Sequence, residues 1–151
     1  MYARILVPID GSDTAGQGLR EAIALATALQ SVLVLLHVVN DLPMLVDMSS
    51  VLHAADFQQD VLEHGEKLLA SGRGEADHAG VRTEAVLTEL MSGRVGQLIA
   101  REAQARNCQL IVMGTHGRRG LSRLAMGSDA ELVLHHAAVP VLLVRHQHLK
   151  P

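Results

Sequence analysis

Hydrophobic positions along the chain alternate between short apolar runs and longer stretches of helical spacing. The runs are rich in β-branched residues, which is typical of strands buried on both faces of a parallel sheet, and the third alternates apolar and polar residues like a partly exposed strand. Between them, apolar residues recur every three or four positions, as on one face of an α-helix. The pattern predicts strands over 3–9, 32–39, 81–88, 110–113 and 139–145, and helices over 13–30, 51–76, 92–106 and 128–138.

The order of these elements predicts an α/β fold. Strands and helices alternate throughout, which is the signature of a parallel five-stranded sheet with helices on both faces. Right-handed crossovers leave two common strand orders, 3-2-1-4-5 and the flavodoxin-like 2-1-3-4-5. Residues 40–50 are expected to form a loop, and residues 71–75, Ser-Gly-Arg-Gly-Glu, to fray or turn at the end of the second helix.

A glycine-rich stretch between the fourth strand and the last helix is the main candidate for function. Its glycines at 114, 117, 120 and 127 carry no Cβ and let the backbone approach another group closely. The N–H groups that open the helix at Gly127 and Ser128, with the Ser128 hydroxyl, suit a phosphate. Alternatively, the stretch is an ordinary strand-to-helix turn in which Ser128 caps the helix. Neither a Walker A motif nor Gly-x-Gly-x-x-Gly is present.

A carboxylate at the end of the first strand extends this candidate. In the 3-2-1-4-5 order, strands one and four are neighbours, and ligands bind outside their carboxyl ends. Asp10 would then lie beside the glycine-rich stretch, where it suits a ribose hydroxyl or a metal ion on a phosphate chain. The residues therefore predict a nucleotide as the ligand.

Composition excludes several other classes of protein. Aromatic residues make up 1% of the 151 residues and the net charge is −3, which argues against nucleic-acid binding by stacking or by a basic surface. One cysteine cannot form an internal disulfide, and we find neither a signal peptide nor an apolar run of about 20 residues. We therefore expect a single soluble domain of cytoplasmic type, with no membrane segment.

Histidines and nucleophiles offer little sign of catalysis. The nine histidines show no spacing typical of zinc, and His37, within an apolar strand, is expected to be a hydrogen-bonded core residue rather than a base. Cys108 precedes a buried strand and is expected to be inert. No Gly-x-Ser-x-Gly elbow is present, so no catalytic residue is assigned.

The spacing of the glycines resembles the nucleotide motif of the universal stress protein family. Two residues separate Gly114 from Gly117, and nine residues separate Gly117 from Gly127, which Ser128 follows directly. The resemblance extends over essentially the whole chain, from Ile-Leu-Val-Pro-Ile-Asp-Gly-Ser at 5–12 to Val-Pro-Val-Leu-Leu-Val at 139–144. It implies one nucleotide-binding domain over 1–146, a tail over 147–151 and the 3-2-1-4-5 strand order.

The resemblance also implies which residues bind the nucleoside part of ATP. Pro8, Ile9 and Asp10 would line the adenine and ribose side, and Val38 would meet the adenine through its backbone. The pair 113–114, Met-Gly, would lie against the nucleoside. Asp10 would also contact the Mg²⁺ ion that accompanies ATP.

Phosphate contacts are implied at the second half of the motif. Gly117, Gly127 and Ser128 would hold the phosphates. Independently of the resemblance, the arginines at 118, 119 and 123 suit a phosphate chain, and Arg118 is the one expected to contact it by its position. Alternatively, these arginines form a solvated face of the loop. Ala130 falls at a nucleotide-binding position where some relatives carry a hydroxyl residue.

Two functions follow from this site. The first is a regulatory module whose bound ATP is read by an unidentified protein partner during stress. The second is an enzyme, a slow ATPase or an autophosphorylating protein with Ser122 or Ser128 as acceptor and Asp10 or Asp129 acting with Mg²⁺.

The uncharged last strand, Val139 to Val144, is expected to be an edge through which the family-type homodimer forms. Alternatively, the tail over 146–151 covers that edge.

Overall fold

The computed structural model describes residues 1–40, 51–116 and 126–145, with the backbone alone for 51–54. The strands in these ranges are β1 (Arg4–Pro8), β2 (Val32–Val39), β3 (Thr83–Glu89), β4 (Leu110–Gly114) and β5 (Val141–Val144). The helices are α1 (Asp13–Leu29), α2 (Val51–His78), α3 (Val95–Ala105) and α4 (Ser128–His136).

The five strands form one parallel sheet in the order β3-β2-β1-β4-β5, which confirms the first of the two predicted orders. β1 lies at the centre, with Arg4 beside Val32 of β2 and Ile5 beside Leu110 of β4. The winding of the chain reverses between β1 and β4. Their carboxyl ends are therefore neighbours at the switch point, where open α/β sheets bind ligands.

Each face of the sheet is covered by two helices. Side chains alternate along a strand, so Ile5 and Val7 pack towards α1 and α2, whereas Leu6 packs towards α3 and α4. Both cores are almost entirely aliphatic, as the composition requires. The central strands are buried on both sides, which explains their nearly continuous apolar sequences.

The β1–α1 turn shows how the local sequence ends a strand and starts a helix. Gly11 has a φ of +83°, in the left-handed region that glycine adopts at low cost. Ser12 is the N-cap, and its hydroxyl accepts a hydrogen bond from the Ala15 N–H at 3.2 Å. Asp13 lies in the first turn, where a negative charge is favoured by the helix dipole. Ser12 is therefore the cap of α1, and Asp13 is its first helical residue.

The predicted fraying at 71–75 is wrong, because α2 continues without interruption to His78. The reason is a tertiary contact that overrides the low helix propensity of glycine. A Cβ at Gly72 would lie 2.9 Å from Ile9 Cδ1, so this turn of the helix packs directly on the core. Leu69 and Ala76, on either side of it, are buried. The loop predicted over 40–50 and the tail over 147–151 fall, apart from Asn40, outside the described residues.

Other boundaries differ from the predictions by a few residues. α3 begins at Val95 instead of residue 92, because Gly93 has a φ of +92° and Arg94 is extended. β3 begins two residues later than predicted, and β5 is shorter at both ends. None of the helices in the described ranges has both the length and the apolar character needed to cross a bilayer.

His37 is a buried, hydrogen-bonded core residue, as predicted. It is 4% exposed, and its Nδ1 lies 2.7 Å from the carbonyl oxygen of Ile9. A carbonyl oxygen can only accept, so Nδ1 carries the hydrogen. The contact fixes the backbone at the end of β1, immediately before Asp10.

Candidate functional site

A cavity of about 450 Å³ opens at the carboxyl ends of β1 and β4. Its size falls within the range of small-molecule sites in proteins. Every predicted site residue that the structure describes lines this cavity: Pro8, Ile9, Asp10, Val38, Met113, Gly114, Gly127, Ser128 and Ala130. Gly117 and Arg118 lie outside the described residues, as does Gly120 of the same motif.

Asp10 forms the wall of the cavity on the side of β1. Its Oδ1 accepts a hydrogen bond from the Ser12 N–H at 2.9 Å. The intervening Gly11, with its left-handed backbone, allows the chain to turn back within two residues. The hydrogen bond within this turn therefore fixes the carboxylate at the switch point between β1 and β4.

Gly114 has a packing role that the sequence did not indicate. A Cβ at this position would lie 2.8 Å from the backbone carbon and oxygen of Thr14, closer than real Cβ contacts come. On the same helix, a Cβ at Gly18 would lie 3.2 Å from the Gly114 nitrogen. The backbone that approaches Gly114 closely is therefore that of α1, and this contact sets the distance between α1 and the end of β4.

The first turn of α4 presents backbone donors to the cavity. The N–H of Gly127 donates to the Thr115 carbonyl at 2.8 Å, and the N–H of Glu131 donates to Gly127 at 3.1 Å. The three intervening N–H groups, at 128–130, make no hydrogen bond with another described residue. Gly127 occupies the N-cap position and has no side chain to cap the helix. The alternative in which Ser128 acts as the cap is therefore wrong, since Ser128 is the first helical residue.

The charged residues around the cavity include one that the sequence reasoning missed. Among the lysines and arginines in the described ranges, Arg94 is the one that lines the cavity. It stands at the N-cap of α3, and its side chain makes no ion pair or hydrogen bond with another described residue. Asp129, in the first turn of α4, lines the same cavity. Both signs of charge therefore face the same cavity.

The sequence analysis also missed several other residues that line the cavity, although their position at the end of a strand could have indicated some of them. Asn40 directly follows β2, and Thr115 and His116 directly follow β4, so each stands at the carboxyl end of a strand. Gly93 and Arg94 come from the turn before α3, where the sequence carries no comparable mark.

Metal ligation by side chains alone finds no support in the described ranges. They contain no group of three or more histidine, cysteine, aspartate or glutamate residues arranged to hold a metal ion. Mg²⁺ in proteins usually keeps several water ligands and binds through one or two carboxylates together with phosphate oxygens.

Comparison with known proteins identifies the family. The profile described as the universal stress protein family matches residues 1–145. The chain belongs to this family. Universal stress protein MJ0531 of Methanocaldococcus jannaschii is 31% identical over 145 residues, covering 96% of this chain and 83% of the relative.

Solved structures agree with this assignment. The protein MJ0577 superposes on this universal stress protein with a TM-score of 0.85 at 25% identity, covering 98% of this chain and 99% of the other. A family member from Arabidopsis thaliana, solved with AMP bound, has a TM-score of 0.69 at 17% identity and covers 96% of this chain and 92% of its own. At that identity the second likeness establishes the fold alone.

Proposed function

We propose that this universal stress protein binds an adenine nucleotide, ATP with Mg²⁺, and acts as a nucleotide-dependent regulatory module of the stress response. One observation carries the proposal. The described residues that the family motif assigns to the nucleotide come from separate segments, at the ends of β1, β2 and β4 and the start of α4, yet all line one cavity. The Arabidopsis relative with bound AMP shows that this fold can accept an adenine nucleotide.

The nucleoside would occupy the apolar side of the cavity. Pro8, Ile9, Val38 and Met113 line it there and offer aliphatic surface to an adenine ring. Asp10, held by its own turn, would accept hydrogen bonds from the ribose hydroxyls. The 2.9 Å bond to the Ser12 N–H orients the carboxylate before the ligand arrives.

The phosphates would lie at the start of α4. The three N–H groups at 128–130 and the positive end of the helix dipole favour an anion there. The Ser128 hydroxyl adds a further donor, while Ala130 contributes only its backbone. Arg94 offers a positive charge on the same cavity, and Gly117 and Arg118 are proposed to complete the phosphate contacts. Bound Mg²⁺ would offset the negative charge that Asp129 places near the phosphates.

A slow ATPase or autophosphorylating enzyme is the alternative use of the same site. It is favoured by one observation, that Asp10 and Asp129 both line the cavity and could orient a metal-bound water. In either case the homodimer through β5 and the cytoplasmic location expected from the sequence belong to the proposal.

The test begins with the purified protein and no added nucleotide. Denaturing it and separating the released molecules would identify any nucleotide that copurifies. Calorimetric titration with ATP, ADP, AMP and GTP, each with and without Mg²⁺, then measures affinity and selectivity. We expect binding of adenine nucleotides in preference to GTP, and the proposal is wrong if no nucleotide copurifies and none binds.

Asp10→Asn tests the assigned carboxylate against a matched control. We expect it to weaken nucleotide binding about tenfold or more, because a hydrogen bond to a charged group contributes about 1.5–3 kcal/mol. Asp13→Asn removes the same charge three residues away, outside the cavity lining, and should leave the affinity unchanged. Phosphate release and protein mass after incubation with ATP distinguish the two uses, since turnover lost in Asp10→Ala would favour the enzyme.

A further inference from the structure

A short chain of hydrogen bonds joins the loop after β1 to the residues after β4, and both segments line the cavity. The Asp10 carboxylate accepts from the Ser12 N–H at 2.9 Å, and the Ser12 Oγ lies 3.3 Å from the Thr14 Oγ1. The Thr14 hydroxyl in turn donates to the carbonyl oxygen of His116. Asp10 and His116 both line the cavity and are more than 100 residues apart in sequence.

The direction of each bond follows from the groups involved. A carbonyl oxygen can only accept, so the Thr14 hydroxyl donates its single hydrogen to the carbonyl of His116. The Thr14 oxygen must therefore accept from the Ser12 hydroxyl. The Ser12 oxygen also accepts from the Ala15 N–H at 3.2 Å, so it both donates and accepts. The bonds from the Ala15 N–H through the Ser12 and Thr14 hydroxyls to the His116 carbonyl run in one direction and strengthen one another, while Asp10 is attached to this series through the Ser12 backbone N–H.

The surroundings of Thr14 leave little room for adjustment. Its residue is 9% exposed, and its backbone lies against Gly114, where even one additional carbon would clash. A buried hydroxyl is costly unless it is hydrogen-bonded, and a valine of similar shape would pack in this position without that cost. The partners of this buried hydroxyl, Ser12 and His116, belong to the segments after β1 and after β4 that form the cavity.

We propose that Thr14 is a positioning residue, whose hydroxyl couples the Asp10 wall of the nucleotide cavity to the His116 wall. This inference rests on the proposed nucleotide binding. A ligand held by Asp10 on one side and by the end of β4 on the other needs both walls at a fixed separation. Thr14 sets that separation through its bonds, although it is not among the residues that line the cavity.

The experiment compares three variants on the same helix. Thr14→Val removes the hydroxyl and keeps the shape, and Thr14→Ser restores the hydroxyl. Thr27→Val is the matched control, because Thr27 also donates to a backbone carbonyl, that of Ile23 at 2.8 Å, but on an exposed face away from the cavity. Affinity for ATP with Mg²⁺ and for AMP is measured by calorimetry, and thermal unfolding is followed in parallel.

We expect Thr14→Val to weaken nucleotide binding about three- to tenfold, the effect of one neutral hydrogen bond. Thr14→Ser should restore the affinity to within about twofold of the wild type, and Thr27→Val should not change it. If Thr14→Val does not fold, Thr14→Ala removes the same hydroxyl and takes its place. Unchanged affinity in the variant without the hydroxyl, or no recovery with serine, would overturn the inference.

A double-mutant cycle with Asp10→Asn separates coupling from independent contributions. If Thr14 acts through the bond chain, its substitution should matter much less once Asp10 has been changed, so the two effects are not additive. Additive effects would contradict the coupling. If the wild type binds no nucleotide, both the proposed function and this inference are wrong. If the wild type binds nucleotide normally, a negative result for the Thr14 variants contradicts only the role proposed for Thr14.

Discussion

Glu84 shows how one side chain can connect three elements of this fold. Its carboxylate lies 2.6 Å from the guanidinium of Arg4 on β1 and 3.1 Å from that of Arg106, which follows α3. Arg106 also pairs with Glu102 of the same helix at 2.8 Å. The hydrogen bond from Arg4 is the main cause that holds the pKa of Glu84 below its ordinary value, and Arg106 adds to it. Nearby Cys108 is buried, and burial raises the pKa of its thiol, as expected for an inert cysteine.

The lowered pKa of Glu84 predicts a pH dependence of stability. Its ion pairs stabilise the fold above the ordinary value of 4.5, and the stabilisation is lost as the pH falls from there through the lower pKa of the folded state. Glu84→Gln should reduce the free energy of unfolding at pH 7 by less than about 1 kcal/mol, because the pair is partly exposed to solvent. In urea titrations, this difference from the wild type should shrink as the pH falls below 4.5.

Glu89 provides the control for this measurement. It lies on the same strand and makes no ion pair with another residue in the described ranges. Glu89→Gln removes a charge from the same strand without breaking these ion pairs, and should change the free energy of unfolding little at pH 7. A difference between Glu84→Gln and the wild type that stays constant from pH 7 to pH 3 would contradict the assigned role of the ion pairs.

At the scale of elements, α2 contains two glycines whose replacement should have opposite effects. A Cβ at Gly65 would lie 2.6 Å from His37 Cδ2, and the His37 ring is held by its bond to Ile9. Gly65→Ala should therefore destabilise the protein by about 1–3 kcal/mol through overpacking. A Cβ at Gly74 meets no atom within 4 Å, so Gly74→Ala should stabilise by about 0.5–1 kcal/mol through helix propensity. Denaturant titration of both variants measures the change in the free energy of unfolding. An increase in stability for Gly65→Ala would contradict the prediction and show that His37 can move.

The same helix shows where prediction from sequence ends. The order and type of the elements followed from apolar periodicity, since the central strands are buried on both faces and each helix on one. The continuation of α2 through Ser-Gly-Arg-Gly-Glu did not, because it depends on the contact between Gly72 and Ile9, which are far apart in the chain. Local composition reports propensity, and this contact overrides it.

The sequence also predicted part of the candidate site, but not the parts that depend on tertiary packing. Its residues at strand ends and at the start of α4 could be found because topology brings such positions together. The role of Gly114 against Thr14, and the position of Arg94 beside the cavity, depend on how helices pack across the sheet. The spacing of a sequence motif does not predict such packing.

At the scale of the whole molecule, β5 is the feature that points to assembly. In the described part of the chain, it pairs with β4 alone and forms one edge of the sheet. The carbonyls of Pro140 and Val144 accept hydrogen bonds from Ile111 of β4 and from Thr115 directly after it. Alternation along the strand therefore directs the backbone groups of the residues at 141 and 143 outwards. The strand carries no charge, and Leu142 is 37% exposed. An uncharged edge with outward donors and acceptors is a surface for strand pairing.

We therefore expect a homodimer through β5, and a lysine on that edge should disrupt it. Leu142→Lys places a charge where two copies would pair, and it should lower the molar mass in light scattering from that of a dimer towards that of a monomer. Leu29→Lys makes the same change at a leucine 43% exposed at the end of α1, and should leave the dimer intact. Removing residues 146–151 distinguishes the alternative in which the tail covers the edge, because the shortened chain would then associate more strongly than the full one. A wild type that is monomeric at high concentration, with or without those residues, would contradict pairing through β5.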